Sequence, residues 1–180
     1  MYRCRDERTI AASRDRCFAA LSDLSTYSRW WTLVSVTPEV GGWHLVPGGR
    51  FRFAGARPGG PLVEWSANVV AVDEPACIEL AYGGGEYDGR TAWELDEVEG
   101  GTRVAYVYRG VRPTSQRARD HFARWGTRLH SIAMQEDALA GLARFLGGAG
   151  SEIDDDTWRL LVYRRVDAAV RAMATRDTSR

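Results

Sequence analysis

The chain has 180 residues and a mass of 20.0 kDa, enough for one domain with a modest appendage but tight for two. Its 24 basic residues, all Arg, balance 24 acidic ones, which argues against a nucleic-acid partner bound through a global basic surface and against an electrostatic membrane anchor. With 44% hydrophobic and 27% charged residues the composition is that of an ordinary globular protein, and the expected location is cytoplasmic.

Arg5 to Ile10 reads as a first strand. Ser13 is placed to cap a short helix over 14–22 that carries Cys17, Phe18 and Leu21 on its apolar side. Asp23 is placed to cap a second helical turn from Leu24 to Trp30. The period then changes to two. Val34 and Val36, Phe51 and Phe53, Val63, Trp65, Ala67 and Val69, then Ile78, Leu80 and Tyr82 alternate with polar neighbours. Thr91, Trp93 and Leu95, and finally Val104, Tyr106 and Tyr108, continue the pattern. Pro58-Gly59-Gly60-Pro61, Asp73-Glu74-Pro75 and Glu99-Gly100-Gly101 read as turns. The result is an antiparallel meander with one dry face. Helical periodicity returns from Ser115 to Leu146 and again from Asp155 to Met173, with 147–151 as linker. The expected division is a domain over 1–148 and a helical extension over 149–180.

Familiar chemical signatures are missing. Cys4, Cys17 and Cys77 are far apart and form no CxxC, and His44, His121 and His130 form no HExxH, so neither a metal nor any other cofactor is expected. No phosphate-binding glycine loop, dinucleotide fingerprint or GxSxG occurs. No apolar run approaches the length that spans a bilayer, and the first residues lack an apolar signal core. The seven Trp are the unusual feature; Trp and Tyr join large apolar area to a polar tip and serve both cores and ligand pockets.

The stretch Thr9-Ile10-Ala11-Ala12-Ser13, followed by Phe18-Ala19-Ala20-Leu21-Ser22-Asp23, Tyr27 and Trp30-Trp31, resembles the opening of the SRPBCC (START-like, helix-grip) superfamily. Val72-Asp73-Glu74-Pro75, Trp93-Glu94-Leu95 with Gly101-Thr102-Arg103-Val104, and the run Ala138 to Leu146 extend the resemblance over residues 3–147. It implies an α+β fold in which a curved antiparallel sheet of about seven strands grips a long C-terminal helix across a mostly apolar cavity. The final helix is an addition. The superfamily includes lipid and hormone binders, polyketide cyclase/dehydrases and activators of a chaperone ATPase. One fold with several uses leaves function to be argued from the cavity.

Alternation assigns the inward face to Phe53, Trp65, Tyr82, Trp93, Tyr106 and Tyr108, with Trp31 near the mouth. At about 100° per residue, Trp125, Ile132, Leu139, Ala143 and Leu146 fall on one stripe of the long helix, beside Leu129. His121, Arg128, Gln135 and Glu136 fall on or next to that stripe, whereas His130 and Met134 fall opposite. An ionisable group on a buried stripe is costly unless paired or wet. Three accounts compete: Gly126 breaks the helix and turns His121 away, Arg128 and Glu136 pair structurally, or these groups face a ligand. In the third, Arg128 holds a carboxylate, enolate or phenolate and His121 or Glu136 moves a proton.

The expected function is therefore binding of a small hydrophobic, aromatic or polyketide-like molecule, with cyclisation or dehydration as its chemical extension. A noncatalytic carrier or sensor and a chaperone-activator-like interaction module are the alternatives. The apolar stripe of the last helix, Trp158, Val162, Val166, Ala169, Val170 and Met173, must be buried. The convex side of the sheet, a homodimer partner and a membrane surface are the candidates, with Trp158 and the tail as the contact surface in the interaction-module reading.

Overall fold

Seven strands form one sheet in the order β1-β7-β6-β5-β4-β3-β2, every neighbouring pair antiparallel. They are β1 (Tyr2–Ile10), β2 (Val34–Val40), β3 (Arg50–Gly55), β4 (Val63–Asp73), β5 (Cys77–Gly83), β6 (Tyr87–Val98) and β7 (Gly101–Pro113). The computed structural model describes residues 1–55 and 63–177, so the turn expected at Pro58–Pro61 lies outside the described residues. Strands β2 to β7 run as a meander, and β1 closes on β7 at the opposite edge. The first strand begins at Tyr2, earlier than expected, because the polar residues before Arg5 still pair with β7.

Alternation sorts the side chains. Phe53 stands opposite Trp65 and Ile78 opposite Trp93, while Trp93 also stands opposite Tyr106, so one face gathers the aromatic residues. The helices α1 (Arg14–Ser22) and α2 (Tyr27–Trp30) close one end of that face. Ser13 and Asp23 cap as expected, with Ser13 accepting from the Arg16 N–H and Asp23 from the Ser25 N–H. Cys17, Phe18, Leu21, Leu24, Tyr27 and Trp30 are all buried beneath them.

The long helix is not continuous. It is broken into α3 (Gln116–Trp125), α4 (Arg128–Ala133), a π-turn (Met134–Ala138) and α5 (Leu139–Phe145). Gly126, at φ +58°, ends α3 in a conformation that side chains disfavour. The π-turn then shifts the phase again. A single 100° stripe therefore does not describe this segment. His130 and Met134 turn inward, opposite to the expectation, whereas Ile132 turns outward toward the last helix.

Helix α6 (Asp155–Asp177) buries Trp158, Val162 and Val166 against Leu33 and Ala140, with Ile132 and Ala133 at the margin. It packs on the outer side of α4 and the π-turn and not on the convex face of the sheet. Arg144 ties this arrangement together. Its buried guanidinium donates to the Ile153 carbonyl at 2.6 Å, to the Arg29 carbonyl at 2.8 Å and to Asp155 Oδ1 at 2.5 Å. Among the described residues no helix is long and apolar enough to cross a membrane.

Candidate functional site

A cavity of about 170 Å³ lies between the aromatic face of the sheet and the α3–α4 junction. Trp31, Leu33 and Val34 close it at the end of α2, and Phe122, Leu129, His130, Ala133 and Met134 roof it. The sheet contributes Trp65, Tyr82, Tyr87, Tyr106 and Tyr108, and His121 and Gly126 complete the roof near the break. The cavity lies beneath the point where Gly126 ends α3 and α4 begins.

Ring contacts fix the wall. Trp65 stacks on Phe53 at 5.5 Å between centroids and meets Tyr87 edge-on at 6.1 Å. Trp31 lies edge-on to Trp93 at 5.9 Å and to Tyr106 at 6.2 Å. Tyr108 stacks on the His130 ring at 4.1 Å. The hydroxyls of Tyr82 and Tyr106 are hydrogen-bonded to each other, and Tyr106 donates onward to Thr91 Oγ1 at 3.2 Å. Trp65 keeps a buried indole N–H near the Tyr82 hydroxyl but makes no hydrogen bond of ordinary length.

Burial dominates the electrostatics. It raises the phenols of Tyr82, Tyr106 and Tyr108 above their ordinary value and pushes Tyr87 up to about 12, so all four hydroxyls stay protonated at neutral pH. It pushes His130 down to about 3, which leaves a neutral imidazole. The described lining residues include no Arg, Asp or Glu.

Of the residues expected at the site, Trp31, Trp65, Tyr82, Tyr106, Tyr108, Leu129 and His121 line this cavity. Phe53 and Trp93 lie one layer behind, buttressing Trp65 and Trp31. Trp125 is buried away from the lining, with the Arg124 guanidinium 4.7 Å from its ring, and Ile132 faces α6. Arg128 is exposed at the first turn of α4. Glu136 is half-buried on the π-turn and outside the cavity wall. The helix break at Gly126 and the π-turn explain both displacements, because both expectations rest on an unbroken helix.

Two other features escape the sequence pattern. Asp137 is 0% exposed and accepts hydrogen bonds from the Thr32 N–H, the Thr32 hydroxyl and the Leu33 N–H, each at 2.8 Å. It pins the segment that carries Trp31 and Leu33 into the cavity corner. Burial pushes its carboxyl up to about 6, against the pull of those three donors. Asp137 directly before the apolar run Ala138–Leu142 is the signal that could have found it. The second feature joins distant segments: Cys4 and Asp6 on β1 meet His130 on α4, with donor atoms within 4.8 Å of one another. Burial first, and then the Asp6 charge, push the Cys4 thiol up to about 11.

Residues 11–134 match the family described as Activator of Hsp90 ATPase homolog 1-like protein. The chain belongs to this family. Within the SRPBCC superfamily, such membership makes it a ligand-binding or Hsp90-ATPase-activator-like domain. No curated protein matches the chain. Among solved structures, Ms6760 from Mycobacterium smegmatis is 21% identical, with a TM-score of 0.59 over 80% of this chain and 90% of its own. TTHA0849 from Thermus thermophilus is 19% identical, with a TM-score of 0.59 over 93% of this chain and 98% of its own. CV1439 from Chromobacterium violaceum is 13% identical, with a TM-score of 0.59 over 81% and 98%. These likenesses establish the helix-grip fold of this AHSA1-like chain.

Proposed function

We propose that the chain binds a small uncharged aromatic molecule of one or two rings, bearing a hydroxyl or carbonyl group, in the aromatic cavity. The cavity itself carries this reading. Its volume of about 170 Å³ is close to the roughly 150 Å³ of an apolar cavity that accepts benzene, and below the roughly 300–1,000 Å³ of pockets for drug-sized ligands. That favours one or two rings over a multi-ring polyketide. Among the described lining residues no charged side chain offers a counter-charge to an ionised ligand, which favours an uncharged one. The Trp65 N–H is a donor in search of an acceptor, and the Tyr82–Tyr106 pair gives a second polar anchor.

This reading is one of binding. The cyclase extension assigns anion holding to Arg128 and proton transfer to His121 or Glu136, and of these His121 alone belongs to the described lining. The interaction-module alternative uses Trp158 as a contact surface, but Trp158 is 3% exposed and covered within its own chain.

Trp31 and Trp65 in the wall supply the readout. Saturable change in Trp fluorescence is expected with 2-naphthol, a weaker change with naphthalene, and the weakest with 2-naphthoate. Leu129→Phe, which fills the cavity from the roof, is expected to abolish the 2-naphthol response. No response to any of the three, or an unchanged response in Leu129→Phe with native circular dichroism, would overturn the reading.

A further inference from the structure

One group of donor atoms is not used by the ligand-binding reading. Alternation along β1 turns both Cys4 and Asp6 toward the helices, and α4 lowers His130 onto them. The Cys4 Sγ, an Asp6 carboxylate oxygen and a His130 ring nitrogen lie within 4.8 Å of one another. Asp6 Oδ2 and His130 Nε2 are 3.6 Å apart, and both are buried without a hydrogen-bond partner. Two such orphaned atoms facing each other are costly in a folded chain. Their separation is too long for a hydrogen bond. It is close to the edge of a tetrahedron whose metal–ligand bonds are about 2.0–2.2 Å, which is roughly 3.4 Å.

The surroundings suit a ligand set. Asp6 is 5% exposed, and the polar side chains of Ser131 and Gln135 lie near enough to its carboxylate to favour its ionised form. Stacking on Tyr108 holds the His130 ring in place. Groups that orient ligands in this way are the usual outer support of a metal site.

We propose that Cys4, Asp6 and His130 bind one divalent zinc-class ion at the edge of the cavity. One sulfur, one oxygen and one imidazole nitrogen form a borderline-soft donor set that suits zinc, whereas magnesium and calcium prefer oxygen alone. As the metal–sulfur bond forms, the Cys4 thiol proton leaves to solvent. Thiolate, carboxylate and neutral imidazole around a dication then sum to zero charge, which suits a buried location. His130 also belongs to the cavity wall, so the ion would stand where a bound molecule ends.

The test uses the full chain, stripped of metal with a chelator and titrated without any aromatic ligand. Calorimetry is expected to give one Zn²⁺ per chain. Titration with Co²⁺ is expected to give a thiolate charge-transfer band and intense tetrahedral d–d bands. Cys4→Ser should remove the sulfur band, and His130→Gln should weaken Zn²⁺ binding by at least about a hundredfold. Absence of saturable binding, or a Co²⁺ spectrum unchanged in Cys4→Ser, would overturn the assignment. If either variant fails to fold, alkylation of the unmodified chain decides. Zn²⁺ should slow iodoacetamide modification at Cys4 while leaving Cys77 unchanged, and equal rates at Cys4 with and without Zn²⁺ would sink the proposal.

Discussion

The two ends of the gripped helical segment face one sheet and behave differently. At the α5 end, Leu139 and Leu142 are fully buried in the main core, and Gly141 brings the helix so near α2 that an added Cβ would collide with the Trp30 carbonyl. At the α3–α4 end, Phe122 stacks on Tyr2 and His130 on Tyr108, and together with Leu129 they roof a cavity over the sheet. The sheet is rich in aromatic residues at both ends. What separates them is the backbone of the helix: continuous contact at one end, a glycine break and a π-turn at the other. The cavity coincides with the interruption of the helix, over a sheet whose side chains there are large and aromatic.

This contrast can be broken most severely at the packed end. Leu142→Ala is expected to cost about 2–5 kcal/mol, measured by urea unfolding, because the side chain is enclosed on all sides. Leu129→Ala should cost clearly less, since Leu129 already borders empty space. Equal costs would mean that the two ends are packed alike.

The joint between the two ends is Asp137, and its effect depends on pH. Its folded value of about 6 lies above its unfolded value, so the folded state binds the proton more tightly. Stability from this group is fully present below about pH 4 and is lost as pH rises through about 6, by up to about 3 kcal/mol. Asp137→Asn should flatten that part of the urea-midpoint profile relative to the unmodified chain. A profile of unchanged slope would show that the three donors hold Asp137 ionised throughout.

Gly141→Ala sharpens the comparison further. It should cost about 1–3 kcal/mol, because the new methyl meets backbone and not a side chain that can yield. The smallest stability effect belongs to Leu129→Phe, expected at under about 1.5 kcal/mol, yet this variant should lose aromatic ligand entirely. Thermal melts beside the fluorescence titration would separate those two quantities.

The strands were legible because Phe51/Phe53, Trp65/Ala67 and Trp93/Leu95 each repeat with period two, and one face of the sheet is buried throughout. Much of the cavity wall came with them, since Tyr82, Tyr106 and Tyr108 share that face. The roof was only partly legible. Gly126 raises the prospect of a break, but nothing in Met134–Ala138 marks a π-turn, and an unmarked phase shift exchanges His130 for Ile132. The meeting of Cys4 and Asp6 with His130 has no local trace at all, because the residues lie more than a hundred positions apart in sequence. Asp137 is hidden for a similar reason: its partners, Thr32 and Leu33, sit far upstream.

Arg144 bears on how the molecule comes apart. Its one buried guanidinium is shared by α2, the segment before α6, and α6 itself. Peeling α6 away would take from that cation both its Asp155 counter-charge and the Trp158 ring 5.3 Å from it, while its bond to the Arg29 carbonyl still ties it to α2. The last helix and the grip should therefore melt in one cooperative transition, and amides of α6 should exchange with solvent as slowly as those of the sheet.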